Sequence, residues 1–361
     1  MTKARTNASA SQAVGRNMVI NGAMNVSQRA TSVTGIGASS GYFTCDRWQI
    51  NVGATSAGRL TMTQTADGPN GISANCLKLD CTTADASIAA GERLSLGHNI
   101  EGQNLQRIGK GVAGAQQITV SFYVKASASF TFGVELYDQD AGRQITKLFD
   151  TTTDWVRHEF TLPADLDDGS SPFDDDNAAS LGMFFWLHAG SSFTSGTLNT
   201  ASFADDGTST RAAGIDSFFS NTANNFFLTG VQLEVGPVAT EFEQEDFGVT
   251  LRKCQRYLCT VEKGITGMAT TTSDLNFQYA YPVTMRAVPT IAQSVNAVRV
   301  GDMVDTGTQL SSTTTTASSH RGLDSGVWAV SGTADNDLTV RRTVLLEPNG
   351  SDATFVFDAE L

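Results

Sequence analysis

Apolar and polar residues alternate with a period of two along much of the chain, which is the pattern of a β-strand with one buried face. In ITVSFYVK (118–125), Ile118, Val120, Phe122 and Val124 fall on one face. Further inward-facing sets are Leu77, Leu79 and Cys81; Phe130, Phe132, Val134 and Leu136; Val156, His158, Phe160 and Leu162; and Phe227, Thr229, Val231, Leu233 and Val235. Strands of this kind at this spacing predict antiparallel sheets packed as a sandwich or barrel. The fold class is therefore all-β.

The segment NMVINGAMNVSQRAT at 17–31 predicts a short apolar strand, a break at Asn21 and Gly22, and a second alternating strand. We expect it to form the first strand of a sandwich whose last strand arrives some 200 residues later, at GVQLEV. Gly22 then serves the backbone, through a positive φ or a close backbone contact. Residues 1–17 are polar and small, and they predict an N-terminal arm that is either flexible or ordered by a partner.

One segment, EDFGVTLRKCQRYLCT, breaks the strand pattern. Its apolar residues Phe247, Leu251, Cys254 and Leu258 are spaced like the seam of an amphipathic helix. The seam either covers one end of a sheet or joins three copies around a three-fold axis, and we favour the trimer contact.

The helix marks a domain junction. The predicted organisation is a β-sandwich domain over 18–246, a connecting helix over 247–262 and a smaller β-domain over 263–361. Within the last domain the Thr/Ser tract at 311–319 predicts an exposed loop.

Charge and cysteine content narrow the function classes. The net charge of −13 argues against binding to nucleic acid. Between residues 161 and 246 there are 14 acidic residues and one basic residue, Arg211. The five cysteines predict free thiols, and the scattered histidines predict no structural zinc site. Without an apolar run suited to a signal peptide or a membrane span, we expect a soluble protein that folds in a cytoplasm.

Two loop motifs can each be interpreted either as a functional site or as an ordinary surface loop. GASSG (37–41) fits a nucleophile elbow, but its Thr/Gly/Ser-rich surroundings favour a flexible loop over a catalytic Ser39. The acidic loop DLDDGSSPFDDDN is either a solvated loop or a Ca²⁺ site, and no other cofactor is expected. The candidate ligands are Asp165, Asp167, Asp168 and Asp174.

Aromatic residues are candidates for contacts with sugar rings. The four tryptophans lie in apolar runs, so core packing is the better interpretation for Trp48, Trp155, Trp186 and Trp328. Tyr42, Tyr137 and Tyr281 lie nearer to turns, and they are the candidate carbohydrate-binding residues. With 37 acidic residues in the chain, no carboxylate pair stands out as a glycosidase site, so we do not expect an enzyme.

Three segments together resemble domains of bacteriophage tail fibres and receptor-binding proteins. NMVINGAMNVSQRATS with GYFTCDRWQI resembles the opening of their carbohydrate-binding-module-like jelly rolls, and FFLTGVQLEVGPVATEFE at 226–243 resembles the closing strand. LRKCQRYL and YPVTMRAVPT resemble the domain that often follows. Ala23 and Met24 stand where related openings carry Asp or Phe, so a calcium site that depends on that Asp is not expected.

The resemblance implies a non-enzymatic protein of the virion tail, assembled in the host cytoplasm and homotrimeric. Its expected partners are host surface polysaccharide and, through the N-terminal arm, other tail proteins, with no nucleic acid and no membrane insertion. The alternative is a head-decorating or tail-attached structural protein without receptor contact. A polysaccharide-degrading tailspike is the weaker third interpretation.

Overall fold

The computed structural model describes residues 15–54, 56–165, 172–205, 207–261, 265–293, 297–302, 308–334, 338–348 and 354–361. The chain divides into two compact units, Met1–Thr250 and Leu251–Leu361. The fold is all-β and antiparallel: a jelly-roll sandwich, then a short helix and a smaller β-domain.

The first unit packs two sheets face to face. The six-stranded sheet has the order β1-β4-β5-β13-β7-β10, and the seven-stranded sheet has the order β12-β9-β8-β11-β6-β3-β2. The strands are β1 Ser32–Ile36, β2 Gly41–Tyr42, β3 Gln49–Gly53, β4 Arg59–Thr65, β5 Cys76–Thr83, β6 Arg93–Glu101, β7 Ile118–Ala126, β8 Thr131–Asp138, β9 Arg143–Asp150, β10 Val156–Leu162, β11 Ala179–Ala189, β12 Ala204–Asp205 and β13 Asn225–Val235. A short helix, α1, spans Ser191–Thr194.

The predicted alternation is confirmed for β5, where Leu77, Leu79 and Cys81 are buried, and for β7 and β8. It is wrong in the first half of β13. The core there contains Phe226 and Leu228 rather than Phe227 and Thr229. A β-bulge at Gly230, whose φ is +61°, shifts the register, so the inward face changes within the strand.

The opening segment lies beside β13, as expected for the first element of the sandwich, but it is not a regular strand. Residues 17–31 form turns and irregular backbone, and the first strand begins at Ser32. The amide of Met18 donates to the carbonyl of Leu233, and the Glu243 carboxylate accepts the amides of Gly15 and Asn17. The motif that opens the domain is thus bonded to the motif that closes it.

Asn21 and Gly22 have different backbone roles. Asn21 has the positive φ, +59°, and its side-chain amide bonds the backbone of Val26 and Asp46. Gly22 makes the close approach: a Cβ atom there would lie 2.1 Å from the carbonyl oxygen of Val231. The predicted requirement at Gly22 is therefore one of space.

His98 of β6 lies beneath this segment, with its Nε2 atom 3.2 Å from the amide nitrogen of Ile20. Burial, and then the Arg47 charge, lower the pKa of His98 to about 3.

The depressed pKa of His98 predicts a pH dependence of stability. The unfolded chain binds a proton near pH 6.5 that the folded chain does not bind until about pH 3, so acidification favours unfolding across that window. We expect His98 to lower the free energy of unfolding by about 1.4 kcal/mol for each pH unit below 6.5. Urea denaturation of the wild type and of His98→Gln at pH 7, 6 and 5 measures this as a difference in slope. Equal slopes would contradict it.

The second unit contains a closed barrel of order β15-β16-β20-β19-β18-β21 and a three-stranded sheet of order β14-β22-β17. Its strands are β14 Leu258–Val261, β15 Ile265–Ala269, β16 Asp274–Ala280, β17 Thr290–Gln293, β18 Ala297–Asp302, β19 Thr308–Arg321, β20 Ser325–Ala334, β21 Thr343–Pro348 and β22 Phe355–Asp358. The Thr/Ser tract at 311–319 was predicted as a loop, and that prediction is wrong. It lies inside β19 and pairs with β20, because β-branched threonine suits a strand.

The helix at the junction, α2, spans Phe247–Gln255. It ends before the predicted boundary because residues from Leu258 pair with β22. Cys254 and Leu258 are fully buried within the chain, whereas Phe247 is 56% exposed. Half of the four-residue seam is therefore occupied by the chain's own packing and is not available to a second copy. The fourth residue of the seam, Leu251, is half-buried.

The cysteines are unpaired, as predicted. The thiols of Cys45, Cys76, Cys81, Cys254 and Cys259 are all buried. No helix among the described residues is long and apolar enough to cross a bilayer.

Candidate functional site

A cleft of about 270 Å³ opens on the outer face of the seven-stranded sheet. Its floor crosses four adjacent strands, β3, β6, β11 and β8, whose outward residues alternate with the core residues below. The lining residues are Gln49, Asn51, Arg93, Ser95, Asn99, Tyr137, Gln139, Phe184, Trp186 and Arg211. Aromatic rings, side-chain amides and two guanidinium groups therefore converge on one concave surface.

The Phe184 ring lies across two glycines of the floor. A Cβ atom at Gly97 would lie 2.8 Å from the Phe184 ring, and one at Gly182 would lie 2.5 Å from it. Any side chain at either position would push the ring away from the sheet. Phe184 is half-buried, unlike the core ring of Phe185 beside it. The two glycines thus let an aromatic ring rest against the backbone while it lines the cleft.

Arg211 forms one wall of the cleft, and the sheet holds it rigidly. Its Nε and Nη2 atoms lie 2.7 and 2.8 Å from the two carboxylate oxygens of Glu135, which is fully buried. The indole nitrogen of Trp186 donates to the same carboxylate at 2.8 Å. The Arg211 guanidinium also lies over the Tyr137 ring, 4.4 Å from its centroid. Arg211 is the one basic residue in 161–246, and it comes from the long loop after β12.

Arg93 supplies the second positive charge of the cleft. Its side chain lies along the neighbouring strand, where a Cβ atom at Gly53 would be 2.9 Å from the Arg93 Cγ and Nε atoms. Burial, and then the charge of Arg211, lower the pKa of the Arg93 guanidinium from its ordinary value. The Glu135 carboxylate compensates the charge of Arg211, so Arg93 supplies the net positive charge of a lining that contains no acidic residue.

The three tyrosines proposed for carbohydrate binding have different environments in the structure. Tyr137 lines the cleft. Tyr42 pairs with the cleft residue Gln49 at the sheet edge, so the two side chains share a face. Tyr281 is 7% exposed and packs against Phe357 in the core of the second unit, so its expected exposure is wrong.

Two of the four proposed calcium ligands, Asp165 and Asp174, lie in the described residues, and each has its own polar partner. Asp165 is 8% exposed, and its Oδ1 atom lies 3.1 Å from Nη2 of Arg143. Asp174 is exposed and donates its amide to Asp140. Asp167 and Asp168 lie outside the described residues. Ser39 of the GASSG motif is exposed and is followed by β2 rather than a helix, which excludes a nucleophile elbow there.

Sequence reasoning missed most of the cleft. It identified Tyr137. It assigned Trp186 to the core, and the side chain is indeed only 2% exposed, but Trp186 also contributes to the lining of the cleft. Phe184 and the amides of Gln49, Asn51 and Asn99 occupy polar-facing positions of ordinary strands. Two signals were available: the solitary Arg211 in an acidic region, and the glycines Gly97 and Gly182 inside strands, which mark close approaches.

The sequence matches no protein-family model and no curated protein. Similar solved structures include carbohydrate-binding modules. A family 30 module has 9% identity and a TM-score of 0.31, covering 65% of this chain and 94% of its own. A family 61 module in complex with β-1,4-galactotriose has 9% identity and a TM-score of 0.30, covering 61% and 99%. The xylan-binding CBM22-1 domain of Paenibacillus barcinonensis has 11% identity and a TM-score of 0.29, covering 63% and 100%. The fold assignment here rests on strand order and register.

Proposed function

We propose that the cleft on the seven-stranded sheet binds a host surface glycan and that the chain is a non-catalytic adhesin of a bacteriophage tail. The observation that carries the proposal is the Phe184 ring, held against Gly97 and Gly182 and surrounded by side-chain amides and guanidinium groups. A sugar ring has an apolar C–H face and a rim of hydroxyls. An aromatic ring bordered by hydrogen-bonding groups complements both.

The cleft is organised before any ligand arrives. The Arg211 guanidinium is fixed by both oxygens of Glu135 and by the Tyr137 ring, so little side-chain freedom remains to be lost on binding. The cleft volume of about 270 Å³ lies just below the range of about 300–1,000 Å³ for small-molecule sites. The cleft therefore suits a short stretch of an oligosaccharide, which binds weakly at each site.

Weak single sites fit a virion protein, because several copies that act together gain avidity without new contacts. The proposed assembly is a homotrimer that docks on the tail through the N-terminal arm. Support comes from the opening and closing motifs that resemble phage receptor-binding domains, since Asn17 and Glu243 join those motifs in the fold. Sedimentation of the purified protein as a stable monomer would contradict the trimer.

A glycan array followed by calorimetry tests the cleft directly. We expect binding to a subset of bacterial surface oligosaccharides and a loss of affinity of about tenfold or more in Phe184→Ala, because the stacking surface is removed. Phe247→Ala is the matched control, because it removes a 56% exposed ring elsewhere in the chain. Its affinity for a monovalent oligosaccharide should equal that of the wild type.

Three other experimental outcomes would favour a different function or a different binding site. If no glycan binds and the protein does not compete with phage adsorption, the head-decorating or tail-attached structural role is favoured. Release of reducing ends from host polysaccharide would instead indicate a degrading tailspike. Equal loss of affinity in Phe184→Ala and Phe247→Ala would place the glycan outside the cleft.

A further inference from the structure

A cluster of three metal-ligating side chains lies inside the first unit, apart from the lining of the cleft. Asp85 follows β5, Glu92 immediately precedes β6, and His188 lies near the end of β11. They are 5%, 3% and 0% exposed. One ligand atom from each lies within 4.8 Å of the others.

The histidine is oriented towards the two carboxylates. Its Nδ1 atom lies 2.7 Å from the hydroxyl oxygen of Ser217, which leaves Nε2 directed at Glu92. The Nε2 atom of His188 lies 3.6 Å from Oε2 of Glu92, and neither atom has a hydrogen-bond partner in the part of the chain that the structure describes. A hydrogen bond to the other ring nitrogen is the usual way in which proteins orient a metal-binding imidazole.

Asp85 is held in place by the backbone and by a serine. Its Oδ2 atom accepts hydrogen bonds from the Ser56 hydroxyl at 2.7 Å and the Ala57 amide at 2.9 Å, and its Oδ1 atom accepts the Ser87 amide at 3.0 Å. Two carboxylates and an imidazole then face one another in a space almost closed to solvent. Such an arrangement is stabilised by a cation, either a proton or a metal ion.

We propose that Asp85, Glu92 and His188 bind one divalent transition-metal ion, for which Zn²⁺ is the best match. Zinc accepts imidazole nitrogen and carboxylate oxygen at about 2.0–2.2 Å, which places adjacent tetrahedral ligands about 3.3–3.6 Å apart. The 3.6 Å between His188 and Glu92 fits this spacing. Calcium and magnesium prefer sites made of oxygen alone, so the imidazole selects against them.

The site has a structural consequence that does not depend on glycan binding. It ties the connection between β5 and β6 to β11, and Glu92 is next to Arg93 of the cleft. A metal ion bound here stabilises the folded state, because the unfolded chain holds no preformed site.

Zinc binding is tested on the full chain, dialysed against EDTA and kept reduced, by titration with ZnCl₂ in a calorimeter. We expect one Zn²⁺ to bind per chain. In thermal denaturation, the Tm should rise by about 5 °C or more when the free zinc concentration is about a hundred times the Kd. CaCl₂ should not raise the Tm. An equal rise with CaCl₂, or no stoichiometric uptake of zinc, would overturn the proposal.

Three variants locate the metal ion. Glu92→Gln removes one ligand while it keeps the side-chain shape, and it should lower zinc affinity by at least about tenfold. Ser217→Ala leaves all three ligands but releases the imidazole, and it should lower zinc affinity by about tenfold. His320→Gln removes the exposed histidine of β19 and should change nothing. If Ser217→Ala and Glu92→Gln both fold and bind zinc with wild-type affinity, the site is not at this cluster.

Discussion

Gly22→Ala destabilises the first unit by about 3 kcal/mol or more, although it adds only a single methyl group. The added Cβ atom would meet the Val231 carbonyl oxygen at 2.1 Å, so the opening segment must move away from β13. That movement breaks the hydrogen bond from the Val231 amide to the Gly22 carbonyl. Urea denaturation, followed by fluorescence of the buried tryptophans, measures the loss.

Gly91→Ala is the matched control, because its Cβ atom would lie 3.7 Å from Ala54, an ordinary contact. Its free energy of unfolding should be unchanged or slightly raised. The fraction of Gly22→Ala that remains folded should bind glycan with wild-type affinity, since the cleft lies on the other sheet. Equal stability of the two variants would contradict the proposed close contact.

Arg211→Met destabilises the first unit by about 3 kcal/mol, because it leaves the Glu135 carboxylate buried without its cation. Glu135 is fully buried, and its remaining side-chain partner is the Trp186 indole. The double variant Arg211→Met with Glu135→Gln should recover much of the loss, since no buried charge remains unpaired. Denaturation of the two single variants and of the double variant gives the coupling between the residues.

Lys78→Met serves as the control for that ion pair. The Nζ atom of Lys78 lies 2.8 Å from Oδ1 of Asp80, but the two side chains are 30% and 34% exposed. Breaking a pair of this kind should change stability by less than about 1 kcal/mol. A loss in Arg211→Met no larger than in Lys78→Met would mean that the Glu135 carboxylate is not isolated from water.

Local periodicity was enough to predict the strands, because the alternation in β5 and β7 reflects burial on one side of each strand. It failed at Gly230, where a bulge changes the inward face, and at 17–31, where an irregular segment takes the place of a strand. Both failures involve backbone geometry imposed by a neighbour distant in sequence. The loop prediction for the Thr/Ser tract was wrong for a different reason. Its polar composition suggested a loop, whereas threonine, as a β-branched residue, favours a strand such as β19.

The sites were much harder to predict, because they are made by tertiary contacts. Tyr137 and Phe184 come from β8 and β11, and only the sheet register shows that they meet. The expectation of no structural zinc site rested on cysteine and histidine spacing. His188 reaches Asp85 and Glu92 across roughly a hundred residues of sequence. A spacing rule cannot detect ligands that separate strands bring together.

The strand β13 has a consequence for how the chain folds. It is the last strand of the sandwich in sequence, yet it lies between β5 and β7 in the six-stranded sheet. During synthesis, the edges of β5 and β7 that pair with β13 therefore stay unpaired until residue 235 has left the ribosome. Late insertion of a central strand makes folding slow and exposes the growing chain to aggregation. Truncation before β13 should yield insoluble protein, so the shortest expressible form of the first unit must include it.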